Sequence, residues 1–143
     1  MLEIIAVAAI IAALSLAGRL LQRPAAPPNL RPRERLLHAR TTRSAIRYNW
    51  FLTTERLVGT LRPISTLEKV LNVSVWVGVV QRQSLAPRIE ANLRDVTSAA
   101  PASSTSDRLL VRRGTQTIHV RCASHAEAVE WASAITGRAR GRA

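Results

Sequence analysis

The chain has 143 residues, enough for one domain plus a tail or an anchor, and its apolar content of 47% is ordinary for a protein with a packed core. The charge is not ordinary: 21 basic residues against 9 acidic give a formal +12, and every basic residue except Lys69 is an arginine. That excess implies an anionic partner, whether lipid headgroups, a phosphate backbone or an acidic protein surface, and the single cysteine, Cys122, excludes an internal disulfide and a cysteine-rich zinc site.

Residues 4–18 are uncharged and mostly apolar, and Leu20 and Leu21 extend the run beyond Arg19. Taken as residues 1–22, the segment makes about 33 Å of helix, against a hydrocarbon core of about 30 Å, if Arg19 snorkels to the headgroups. The span rule favours a single transmembrane anchor over residues 1–22. Two other readings stay open: a cleaved secretory signal, for which Ser15-Leu16-Ala17 is a tolerable site but Glu3 a poor start, and a buried or interfacial helix. Only Glu3 precedes the apolar run, whereas Arg19, Arg23, Arg31, Arg33, Arg35, Arg40, Arg43 and Arg47 follow it with Glu34 as the sole acid. The positive-inside rule then keeps the C-terminal part on the cytoplasmic side, or on the matrix or stromal side in an organelle.

Residues 23–32 carry four prolines and read as an extended linker, although a proline-rich stretch is also a ligand type for aromatic-lined grooves. The domain is expected over residues 33–137. Residues 35–40 suit a first strand or a short helix equally. Residues 47–53 gather Tyr48, Trp50 and Phe51 into a strand-like run, and Thr54-Glu55 turns it into a second strand at 56–61. Ser65 and Glu68 have capping-box spacing, and Val73, Val75, Val77 and Val79 alternate with Asn72, Ser74, Trp76 and Gly78, so 70–80 predicts a core strand too short to span a membrane. A further strand is expected at 88–96 and a mobile surface loop at 97–106.

The run 108–113, then Gly114-Thr115, then 116–122 predicts a hairpin, because glycine opens a two-residue loop between β-prone runs. In its second strand Ile118, Val120 and Cys122 share one face, and Thr117, His119 and Arg121 the other. Ser124 and Glu127 form a capping box, in which the serine oxygen accepts from the third helical N–H and the glutamate reaches back to the cap's own N–H. Ala128, Trp131, Ala132 and Ile135 then recur on one helical face, with Glu127 and Glu130 outside it, and Gly137 is placed to end the helix before a basic, disordered tail at 138–143.

This ending resembles the pleckstrin homology (PH) superfamily, whose last two strands lead through a polar link into a C-terminal helix with a buried tryptophan. The resemblance is carried by residues 118–124, 126–131 and 134–135, with Ile118, Val120, Trp131 and Ile135 as the fold-defining positions. It implies an α+β fold: a PH-like barrel or sandwich of about seven antiparallel strands closed by a C-terminal helix, here preceded by the transmembrane helix. It also implies that basic residues of the first two strands and their connection face anionic headgroups, which points to Arg40, Arg43 and Arg47 as lipid- or anion-binding residues. Asn49 stands before Trp50 where the family's arginine is expected, which favours reading the three arginines as a solvated or membrane-proximal basic face.

No catalytic set converges. His119 and Cys122 point to opposite faces of a strand, and with His125 they offer too few ligands for a metal site. There is no glycine-rich phosphate loop and no nucleophile elbow, so no cofactor is expected. A nucleic-acid role rests on charge and the 138–143 tail alone, without an aromatic stacking platform. The sequence therefore favours a membrane-anchored binding or adaptor module that contacts anionic lipid or protein partners. A non-catalytic accessory subunit of a larger membrane complex is the alternative.

Overall fold

The computed structural model describes residues 2–20, 27–42, 47–61 and 88–141. The expected capping box at 65–68, the valine-rich strand at 70–80 and Arg43 lie outside the described residues. The chain divides into two units, one of residues 1–26, 41–48 and 60–87, the other of residues 27–40, 49–59 and 88–143.

In the first unit, α1 runs Leu2–Leu20. It is apolar around its circumference: Ile4, Ile5, Val7, Ile10, Ile11 and Leu16 are all more than half exposed. The helix is where the sequence predicts it, but the expected transmembrane span is not found. Among the described residues no helix is long and apolar enough to cross a membrane. Glu3 and Arg19 bracket an uncharged run that rises only about 22 Å at about 1.5 Å per residue, short of a hydrocarbon core of about 30 Å.

All strand residues but Tyr48, Thr60 and Leu61 belong to the second unit, and the strands form two antiparallel sheets. The first is four-stranded, in the order β1 (Leu36–Arg40), β2 (Tyr48–Thr53), β3 (Arg56–Leu61), β4 (Ile89–Asn92). The 35–40 segment, ambiguous in sequence, is thus a strand, with Ala39 opposite Phe51 and Arg40 opposite Trp50. Asn49, Trp50, Phe51, Leu52 and Thr53 are all buried, so β2 is covered on both faces. Trp50 lies flat on Gly59, where a Cβ would come within 2.6 Å of the indole ring. Glycine at 59 is the seat of the tryptophan.

The second sheet is three-stranded, in the order β5 (Ser98–Pro101), β6 (Arg108–Arg113), β7 (Gln116–Arg121). Arg113 pairs with Gln116 around the two-residue loop, and Gly114 takes a φ of 56°, as the hairpin reading requires. Leu109, Val111, Val120 and Cys122 are buried and Ile118 is half-buried, while Thr117, His119 and Arg121 are exposed. The expected loop at 97–106 is corrected in part: Ser98–Pro101 pairs with β6, with Pro101 tolerated because β5 is an edge strand. The strand expected at 88–96 is corrected too. It ends at Asn92, and a 3-10 turn, Leu93–Asp95, buries Leu93 and lets Val96 reach the same core.

Helix α2 spans His125–Arg140. The Ser124 hydroxyl oxygen accepts from the Glu127 N–H at 3.2 Å, and the Glu127 carboxylate accepts from the Ala123 N–H, one residue earlier than a capping box predicts. Ala128, Trp131, Ala132 and Ile135 are buried, as their spacing predicts. Gly137 does not end the helix: α2 continues to Arg140, where Arg138 and Arg140 in the last turn complement the negative end of the dipole. The expected disordered tail is helical over this part.

The architecture is α+β, with sheets of four and three strands and a C-terminal helix, and the described strands do not close into a barrel. The chain leaves β4 through the 3-10 turn and begins a new sheet at Ser98. Helix α2 packs on β5, β6 and that turn. Trp131 also meets His38 of β1 at a ring-centroid distance of 5.8 Å, and His38 Nδ1 lies 3.7 Å from the Glu130 carboxylate. The core therefore lies where α2 joins the two sheets.

Candidate functional site

Of the three arginines singled out in the sequence, Arg40 ends β1 and is exposed, and Arg47 stands exposed just before β2. They occupy the two described ends of the β1–β2 connection. Arg43 falls in the part of that connection outside the described residues. Two exposed cations at strand ends can attract phosphate, but they do not by themselves make a stereospecific pocket.

The charged centre that sequence reasoning missed is a buried clamp around Arg56, the first residue of β3. Its Nε donates to Glu34 Oε1 at 2.8 Å and its Nη2 to Glu34 Oε2 at 3.0 Å, a forked pair. Nη1 donates to Glu90 Oε1 on β4 at 2.8 Å, and Nη2 also donates to the Asn29 carbonyl at 2.8 Å. Arg31 Nη2 adds a second bond to Glu90 Oε1 at 3.0 Å. Glu34 is only 6% exposed and Arg56 only 5%, so both charges depend on each other for solvation.

Local folding places Glu34. The Glu34 N–H donates to the Arg31 carbonyl at 2.9 Å across a turn with Pro32 at its second position and Arg33 at its third. Arg33 has a φ of 71°, in the left-handed region usually left to glycine. The Glu34 carboxylate accepts from the Arg31 N–H at 2.7 Å and from the Thr53 hydroxyl at 2.6 Å. The segment expected to be a free linker up to residue 32 is therefore tied to the sheet from Asn29 onward.

The clamp is not a proton-transfer site. The forked hydrogen bond from Arg56 lowers the Glu34 carboxyl to about 2 in spite of burial, aided by the Arg31 N–H and Thr53. Glu90 is lowered by the hydrogen bond from Arg56, and Arg56 is itself raised by that from Glu34. All three stay charged at neutral pH, and four of the five Arg56 N–H groups have protein acceptors. The arrangement holds a chain segment onto β3 and β4.

Other reactive types are similarly engaged. Burial pushes the Cys122 thiol up to about 11, so it is protonated and unreactive at neutral pH. His125 Nδ1 lies 3.0 Å from the Ser106 carbonyl and fastens the β5–β6 connection to the start of α2. An open groove of about 230 Å³ is lined by Arg31, Glu55, Asn92, Arg94 and Asp95, two bases and two acids that offset one another. Among the described residues no three histidine, cysteine or acidic groups cluster to hold a metal.

No protein-family model, curated protein or solved structure matches the chain. The functional reading rests on its own residues.

Proposed function

We propose that the chain is a membrane-anchored, non-catalytic binding module, in which α1 embeds in a bilayer and a PH-like domain contacts anionic lipid headgroups or protein partners. The observation that carries this reading is the uncovered apolar surface of α1. Ile4, Ile5, Val7, Ile10, Ile11 and Leu16 expose between 57% and 70% of their area, a continuous surface of the size and kind that calls for a bilayer or a partner helix. Seven described strands in two antiparallel sheets with a C-terminal helix over their core are consistent with the PH-like reading. The arginines that follow α1 favour a cytoplasmic, matrix or stromal domain.

The accessory-subunit reading makes the same use of α1 but covers it with partner helices. Vesicle co-flotation of the full chain separates the two. Lipid contact through the β1–β2 connection predicts tighter binding to anionic than to neutral vesicles, with that difference reduced severalfold in an Arg40→Ala, Arg43→Ala, Arg47→Ala variant. Equal binding to both vesicle types, with co-purification of other membrane proteins at fixed stoichiometry, would favour the subunit.

A further inference from the structure

The outer face of the three-stranded sheet carries charge that neither the core nor the proposed anchor uses. Register places Arg108 directly opposite Arg121, Leu110 opposite His119 and Arg112 opposite Thr117, so these six side chains share one face. The opposite face holds Leu109, Val111 and Val120 in the core, where α2 packs on β5 and β6. Arg108, Arg112, His119 and Arg121 are exposed, and Leu110 is half-buried.

Among the described residues the only acid engaged there is Asp107, 3.4 Å from Arg121 in a pair whose side chains are 39% and 60% exposed. Among the described residues the Arg108 and Arg112 guanidinium groups have no ion-pair or hydrogen-bond partner. Two arginines directly opposite each other on a sheet destabilise it. The charge of Arg108 and Arg112 is unopposed among the described residues and complements an anionic surface.

We propose that this face lies against the anionic headgroup layer of a bilayer, which rests on the reading of α1 as a membrane anchor. Three observations select a bilayer among anionic partners. The face is a sheet surface, with cationic rows at Arg108–Arg121 and at Arg112, about 13 Å apart along the strands at about 3.3 Å per residue. Between them Ala100, Leu110 and His119 form a row with an apolar centre, suited to the boundary of headgroup and acyl chain. The face has no tryptophan, tyrosine or phenylalanine on which nucleic-acid bases would stack. Contact here orients a domain that the anchor has already brought to the membrane.

The test uses the full chain with Cys122→Ala and Thr117→Cys, the new thiol carrying a fluorophore, reconstituted into phosphatidylcholine vesicles with or without phosphatidylserine. Acrylamide quenching of the label reports whether the face is covered. The proposal predicts protection on anionic vesicles only, released at about 1 M salt, where the screening length falls to about 3 Å. Arg108→Gln, Arg112→Gln and Arg121→Gln together remove the protection, by about fivefold per arginine. The corresponding lysine substitutions retain it, which keeps the test decisive if the glutamine variant folds poorly.

Equal quenching on neutral and anionic vesicles overturns the proposal. So does protection by an oligonucleotide or by polyglutamate at neutral vesicles when anionic lipid gives none. Co-flotation with the neutral vesicles reports the anchor separately. A chain that floats with an unprotected label sinks this face and keeps the anchor, whereas one that is protected on anionic vesicles but fails to float on neutral ones keeps the face and loses the anchor.

Discussion

Glu34 and Arg56 show how a polar pair inside a β-rich unit acts as a fastening. Removing one partner of such a pair leaves an uncompensated buried charge, so Glu34→Gln is expected to cost about 3 kcal/mol in chemical denaturation. The pH dependence has a definite sign. Because the folded carboxyl lies at about 2 rather than its ordinary 4.5, its contribution is complete above about pH 4.5 and is lost as pH falls toward 2. Urea midpoints taken from pH 6 down to pH 2.5 should fall steeply in the parent and less steeply in Glu34→Gln; parallel curves would show that Glu34 is not the titrating group. Arg33 tests the same fastening from the backbone. Glycine there relieves a left-handed conformation but loosens the unfolded chain, and Arg33→Gly is expected to stabilise by about 0.5 kcal/mol. A lower thermal midpoint would mean that the turn depends on the arginine side chain.

At the scale of elements, the two clearest dependencies are the seat of Trp50 and the cap of α2. Gly59→Ala brings a methyl group into the indole ring and should cost about 1–3 kcal/mol, measurable as a lowered urea midpoint. Ser124→Ala removes the acceptor for the Glu127 N–H and should cost about 1 kcal/mol, while Ser124→Asp should cost little. The α2 cap and stripe and the β6–β7 hairpin were legible in the sequence because local chemistry determines them: a capping pair, a 3.6-residue stripe, and a glycine at positive φ between alternating strands. Strand β5 was not, since Ser98-Ala99-Ala100-Pro101 has little β propensity and is held as a strand by its ladder to β6. The helix passed Gly137 because glycine only weakens a helix and the Gly141 N–H still finds the Gly137 carbonyl, with Arg138 and Arg140 favouring that end. Of the candidate site, the position of Arg47 followed from the strand-like run read at 47–53, whereas that of Arg40 did not, because 35–40 suited a helix equally. The Arg56 clamp joins residues 22 and 34 apart in sequence, a long-range pairing that no local pattern announces.

For the whole molecule, what covers α1 decides where the chain works. In the proposed anchored arrangement, its uncharged run of about 22 Å between Glu3 and Arg19 inserts with both charges at headgroup level if the bilayer thins locally, at modest cost. On the proposed reading, arginines at the β1–β2 connection and on the outer sheet face act at the headgroup layer. The most direct measurement is alkaline-carbonate extraction of the tagged full chain from membranes, combined with protease protection of the C-terminal domain. The account predicts that the chain remains in the membrane pellet, with its domain cleaved only from the cytoplasmic, matrix or stromal side. Release of the intact chain into the supernatant would contradict membrane anchoring and leave the exposed face of α1 to a soluble partner.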